Sequence, residues 1–260
     1  MKAKVTIIIQ MFLSLCVWFG ITRGYTYFID PFLAGKVPEV LQMVLSSMVI
    51  PYGVALPIFF FLVRKMKVQR LEESSEKKLP VSSFIRIGII QSGVSMFVMF
   101  VVNIMWLALG NEMTGVVFEQ VSNYLIFYIV LLLIFNPIME EILFRKLVLE
   151  RLRPLGDRSV IIVCAIFFAL PHVISLGIPQ MFYTFVLGLI WSYVTVKTGK
   201  LLPAILLHAF SNLYGTFLPM ILTWTEVGMM LYMVIWMVVM PIMAVILLIR
   251  YRLKAQGGTH

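Results

Sequence analysis

Seven residues in three short segments hold most of the chemistry available to this chain. Glu140, Glu141 and Arg145 close the segment Asn136-Pro137-Ile138-Met139-Glu140-Glu141-Ile142-Leu143-Phe144-Arg145. Phe168 and His172 bound Phe168-Ala169-Leu170-Pro171-His172, and His208 and Asn212 bound His208-Ala209-Phe210-Ser211-Asn212. The chain has 3 histidines; the one outside these segments is the last residue, His260. On a helix, residues four apart share a face, so Glu141 pairs with Arg145, Phe168 packs beside His172, and His208 and Asn212 address one site. Glu140 is rotated away from Arg145 and stays available. A carboxylate and an imidazole can activate water by general-base catalysis, and imidazole and amide N–H groups can stabilise an oxyanion. The combination is a hydrolytic set. Taken singly, each residue also has an ordinary reading, such as a histidine bonding between helices or a Glu pair marking a helix end.

Apolar segments must position these residues. Of the 260 residues, 61% are hydrophobic and 13% charged, and the mean hydropathy is +1.00. Soluble domains are about 45–50% apolar and about 25% charged, so this composition excludes a water-soluble globule and predicts an all-α polytopic membrane protein. A span needs roughly 20 mostly apolar residues. Eight candidates satisfy this: 5–22, 41–63, 84–109, 123–144, 159–176, 180–197, 202–222 and 227–249. The first is long for a signal-peptide core and lacks a nearby small-x-small cleavage site, so it reads as a mature helix. All of 1–260 reads as a single membrane domain without internal repeats, with the motif-bearing core helices at 123–222.

With both termini cytoplasmic, 19 of the 21 basic residues fall on the inner side and only Arg23 and Lys36 outside, as the positive-inside rule requires. The formal charge of +9 therefore reports topology, and no nucleic-acid partner is expected: no basic stripe is interleaved with aromatics. The polar stretch Arg64–Pro80 reads as a solvated loop in which Glu72, Glu73 and Glu76 offset Lys77, Lys78 and their basic neighbours. Tyr25, Tyr27, Phe28 and Phe32 suggest an interfacial aromatic belt in an outer loop. Cys16 and Cys164 read as small buried hydrophobes rather than a bridge. The methionines of the eighth span read as lipid-facing or as packing filler.

Polar residues are costly at membrane depth and mark function. At 1.5 Å per residue, Glu140 comes out about 6–8 Å, His208 about 10 Å and His172 about 18 Å from the cytoplasmic boundary. These depths permit a shared cavity in the cytoplasmic half. Pro137 and Pro171 each free a carbonyl one turn back and tend to kink their helices, which is tolerated where backbone lines a wet cavity.

The ordered trio Glu140-Glu141-x-x-x-Arg145, Phe168-x-x-x-His172 and His208-x-x-x-Asn212 resembles the three signature motifs of the CAAX-processing and bacteriocin-processing (CPBP, or Abi) intramembrane protease family, which includes the Ras-converting enzymes. The resemblance implies an intramembrane endopeptidase in which Glu140 polarises the attacking water with help from His172. It implies that His208 and Asn212 stabilise the oxyanion, that Glu141 and Arg145 hold the geometry, and that Phe168 walls the site. Pro171, directly before His172, bears on how that ring is oriented. The first three spans carry no matching motif.

Glu140, His172 and His208 also have the composition of a three-ligand catalytic zinc site, but there is no His-Glu-x-x-His. The sequence leaves open a metalloendopeptidase with a divalent metal such as zinc and a glutamate-dependent enzyme without one. The expected partners are the lipid bilayer and a membrane-embedded or lipid-anchored peptide or protein, cut near the cytoplasmic face. Eukaryotic relatives remove the terminal tripeptide of prenylated proteins. Bacterial relatives are linked to peptide maturation, immunity and envelope functions, and the compact chain points to a bacterial cell membrane. Two other readings stay open: a non-catalytic bacteriocin-immunity or scaffold protein of the same fold, and a small proton-coupled transporter. Retention of all motif residues argues against the first, and the lack of repeated halves against the second.

Overall fold

The structure, a computed structural model, describes residues 2–71, 79–112 and 118–257. Glu72, Glu73, Glu76, Lys77, Lys78 and His260 lie outside the described residues. Among the described residues, seven helical runs are long and apolar enough to cross a membrane: α1 (Ala3–Leu33), α2 (Glu39–Val63), α3 (Val81–Ala108), α4 (Leu125–Leu155), α5 (Asp157–Leu176), α7 (Leu202–Leu222) and α8 (Glu226–Tyr251). Between α5 and α7 lies α6 (Ile178–Thr198), the sixth of the eight expected spans, which is not among the seven apolar runs. There is no strand among the described residues.

Helix α6 is less apolar than the others because of where it sits. It packs against α5, α3 and α7 and buries Thr184, Ser192, Thr195 and Thr198 along with Leu187 and Trp191. A helix surrounded by protein does not need the uniformly apolar surface that lipid demands. By contrast, α8 exposes Met229, Met230, Met233 and Met243, in keeping with the lipid-facing reading of its methionines. Gly177, at φ 91°, is the single residue between α5 and α6, a left-handed backbone position suited to glycine. The two helices then pack closely at Gly188, where an added Cβ would lie 3.0 Å from Ala165 Cα.

Several segment ends differ from the sequence expectation. Helix α1 continues to Leu33, so the aromatic residues after Gly24 are helical; Tyr25 is buried, whereas Tyr27, Phe28 and Phe32 are exposed. Cys164 is buried as expected, but Cys16 is exposed: its apolar neighbourhood on α1 reflects a lipid-facing surface rather than the core. Helix α4 runs on past 144 to Leu155, because charged residues there are buried and paired. Arg151 donates from Nε to the Val63 carbonyl at 3.1 Å and from Nη1 to the Leu147 carbonyl at 2.9 Å. It thus adds a second donor, beside the Met66 N–H, at the carbonyl end of α2. Lys146 pairs with the buried Glu150 at 3.2 Å.

The main core joins α1 (Met11, Leu15, Trp18), α2 (Phe59, Val63), α4 (Leu143, Phe144, Leu149) and the inner faces of α5, α6 and α7. Pro171 does not break α5, which is continuous from Asp157 to Leu176. Stretches of wider π-helical turn interrupt α4 at Val130–Phe135 and Ile142–Val148, on either side of Asn136–Glu141. Such insertions often mark functional segments.

Candidate active site

Helix α4 presents Glu141 and Arg145 one turn apart, and both side chains are fully buried. Their ion pair, Arg145 Nε to Glu141 Oε2, spans 3.1 Å. A buried charge pair leaves further groups to be engaged, and of these Arg145 Nη1 has no hydrogen-bond partner among the described residues. Arg145 Nη2 approaches the Gly188 carbonyl of α6 at 3.4 Å, and the guanidinium lies 4.7 Å from the Phe168 ring centre and 5.5 Å from that of Trp191. The second oxygen of Glu141 meets His208 Nδ1 of α7 at 3.1 Å. Glu141 therefore does more than pair with Arg145: it ties α4 to α7 and orients an imidazole. Because an ionised carboxylate only accepts hydrogen bonds, Nδ1 carries a proton, and Nε2 is directed toward Glu140 Oε2 at 3.9 Å.

Two residues absent from the motif reading fix the other faces of His208. Trp191 of α6 stacks on the imidazole at 4.2 Å with 18° between the planes. Its indole Nε1 donates to Gln91 Oε1 at 2.7 Å, and Gln91 Nε2 donates to the Leu207 carbonyl, also at 2.7 Å. Gln91 belongs to α3, one of the spans without a motif, and is fully buried. The signal was present in sequence as a lone glutamine in an apolar run, a costly placement at membrane depth. Phe168 completes the enclosure edge-on to His208, with ring centres 6.0 Å apart.

His172 lies on the other side of Phe168, ring centres 5.1 Å apart. Its Nδ1 contacts the Phe168 carbonyl one turn back at 2.9 Å. A carbonyl accepts, so the proton sits on Nδ1 and Nε2 keeps its lone pair. This contact fixes the ring orientation despite the adjacent Pro171.

Glu140 and His172 both line a cavity of about 380 Å³, walled by Phe144, Phe168 and Tyr52. His208 and Asn212 are not among its lining residues. Asn212 has a different contact: its Nδ2 donates to the Leu132 carbonyl of α4 at 2.7 Å. In the π-helical register of that segment the Asn136 N–H reaches Leu131 O, so the next donor in the series would be residue 137. Pro137 has no N–H, and the Asn212 amide supplies the missing donor from the neighbouring helix.

The depth estimate from sequence is revised. Because α4 extends to Leu155, Glu140 sits midway along it, about 22 Å from that end at 1.5 Å per residue. The cavity reaches from there to Arg23 and Thr26 on α1, Ser46 on α2 and Ser175 on α5. These residues lie toward the helix ends opposite those rich in Lys and Arg, so the cavity is not confined to the half of the bundle nearest the Lys- and Arg-rich ends.

The three candidate zinc ligands do not converge. No group of three or more His, Cys, Asp or Glu side chains is arranged to hold a metal ion among the described residues. As placed, Glu140, His172 and His208 do not fit a shared ion.

Comparison with known proteins adds one finding. Neither a curated protein nor a solved structure matches the chain. Residues 122–214 match the Rce1-like family model, described as type II CAAX prenyl endopeptidase Rce1-like. That segment holds all three motifs, the ion pair, both imidazoles and the Trp191 stack, and across it the chain is similar to the CAAX-processing intramembrane protease family.

Proposed function

We propose that this protein is an intramembrane endopeptidase that hydrolyses a peptide bond of a membrane-embedded or lipid-anchored substrate, with Glu140 as the general base. One observation carries the reading. Of the two adjacent carboxylates, Glu141 is engaged by Arg145 and His208, whereas Glu140 lines the cavity together with His172. A water molecule between them would give a proton to the Glu140 carboxylate while the lone pair on His172 Nε2 orients it. The water oxygen attacks the peptide carbonyl carbon and forms a tetrahedral oxyanion. The proton on Glu140 then passes to the leaving amine as the C–N bond breaks.

His208 Nε2 is the oxyanion donor nearest to Glu140. With Nδ1 already donating to Glu141, Nε2 can donate only while the ring is doubly protonated. Asn212 has one N–H left after its bond to Leu132 O, and its first role is to hold α7 against α4. The family match at residues 122–214 supports a CAAX-type peptidase in general, and a prenylated peptide is the first substrate to try.

The test compares wild type with Glu140→Gln in otherwise identical membranes. Peptide termini are profiled, and folding is checked by gel filtration in detergent. A cleavage that disappears in a folded variant supports the peptidase. Identical profiles, with any immunity phenotype intact, point to a non-catalytic protein of the same fold.

A further inference from the structure

Arg23 is out of place. It lies on the membrane helix α1, yet it forms no ion pair among the described residues. It lines the same cavity as Glu140 and His172. Its Nε is buried and has no hydrogen-bond partner among the described residues, and its one described contact is with the Phe19 ring at 5.2 Å. A cation held within a membrane helix without a counter-charge is expensive and marks a ligand position.

The chemistry around Arg23 narrows what it binds. Thr22, Thr26, Ser46, Ser47 and Ser175 line the same end of the cavity, but each hydroxyl donates its hydrogen to a backbone carbonyl within its own helix. Those oxygens are left as acceptors, and Arg23 is the cationic donor among the lining residues. Nearer the carboxylate, Asn136 lies one turn before Glu140 on α4, and its Oδ1 is buried with no partner among the described residues. The cavity therefore offers an unused acceptor beside Glu140 and an unused guanidinium donor farther along. A peptide that ends in a free carboxylate complements both, by a backbone N–H and by its terminal anion.

Resting on the peptidase reading of this cavity, we propose that Arg23 is the specificity-determining residue of a carboxylate-binding subsite. It holds the C-terminal carboxylate of the substrate, while Asn136 accepts a backbone N–H next to the bond that is cut. Arg23 thereby sets how far from the chain terminus Glu140 acts.

The test measures binding and cleavage separately. A fluorescent S-farnesyl peptide with a free C-terminus and its C-terminal amide are titrated against full-length Glu140→Gln protein in phosphatidylcholine nanodiscs. The acid should bind roughly 10–100-fold tighter than the amide, the range for loss of a charged hydrogen-bonding partner. Adding Arg23→Gln should abolish the difference, and Arg23→Lys should restore part of it. Equal affinities for acid and amide in the Glu140→Gln protein overturn the subsite. So does an acid preference that survives Arg23→Gln in folded protein. Repeating the titration with phosphatidylglycerol in the nanodiscs separates the other source of an anionic group: Arg23-dependent competition by that lipid, with no acid preference, assigns Arg23 to a headgroup and overturns the peptide reading. Cleavage of the free acid by the parent protein tests the peptidase reading on its own, because binding is scored without turnover.

Discussion

The arrangement around His208 makes Gln91 the most informative residue to change. It touches neither motif carboxylate, yet its two hydrogen bonds hold Trp191 Nε1 and the Leu207 carbonyl at 2.7 Å each. Gln91→Leu keeps the volume but leaves the buried Trp191 indole N–H unpaired and removes the second donor to the Leu207 carbonyl, which stays bonded within its helix. In soluble proteins each such group costs about 1–3 kcal/mol, while inter-helix hydrogen bonds in membranes average about 0.6 kcal/mol with a maximum near 1.7. The expected loss of stability is therefore about 1–3 kcal/mol, which leaves most of the protein folded. The catalytic effect should be larger. Without its anchor, Trp191 can rotate off the imidazole it now stacks on at 4.2 Å, and misplacement of a positioned group by about 1 Å can cost on the order of 100-fold in rate. The assay is peptide cleavage in nanodiscs with kcat and KM determined separately, alongside stability in a denaturing detergent titration. A fall in kcat of about 10-fold or more with KM within about twofold is expected. Adding Trp191→Phe removes the stranded indole N–H, so the double variant should regain about 1 kcal/mol of stability without regaining kcat. Unchanged kcat in folded Gln91→Leu protein would refute the claim that this chain positions His208, as would a kcat loss no larger than the loss of folded protein.

Three further outcomes are expected. Glu141→Gln leaves Arg145 buried without its counter-charge and should destabilise by about 3–5 kcal/mol, whereas Glu140→Gln should abolish cleavage with little effect on detergent unfolding. Asn212→Ala strands the Leu132 carbonyl, but Pro137→Ala returns a backbone N–H to α4; the double variant should therefore be about 1 kcal/mol more stable than Asn212→Ala alone, measured by the same unfolding titration. Gly188→Val forces side-chain atoms into a contact where even a Cβ lies 3.0 Å from Ala165 Cα and 3.3 Å from Phe168 Cδ1. Separation of α5 and α6 should cost about 1–3 kcal/mol of stability and reduce cleavage through Phe168, which contacts both imidazoles.

The sequence by itself determined the membrane architecture and the motif pairs. Lipid requires long apolar helices, and residues four apart on a helix must share a face, so Glu141 with Arg145 and Phe168 with His172 followed from spacing. Span 180–197 was counted with the other apolar segments, and its burial against α3, α5 and α7 was not legible. Tertiary structure decided everything that crosses between helices. Trp191 stacks on His208 and Gln91 holds Trp191 because α6 and α3 pack there, and no local pattern on either helix points to α7. Asn212 turned out to bond Leu132 O, where the π register and Pro137 together leave a carbonyl that only a neighbouring helix can reach. Arg23 looked like one of two basic residues on the outer side, and only packing brought it into the cavity of Glu140 and His172. Helix periodicity orders residues about one axis; the relative placement of eight axes is set by side-chain packing over long sequence separations, which one-dimensional spacing does not encode.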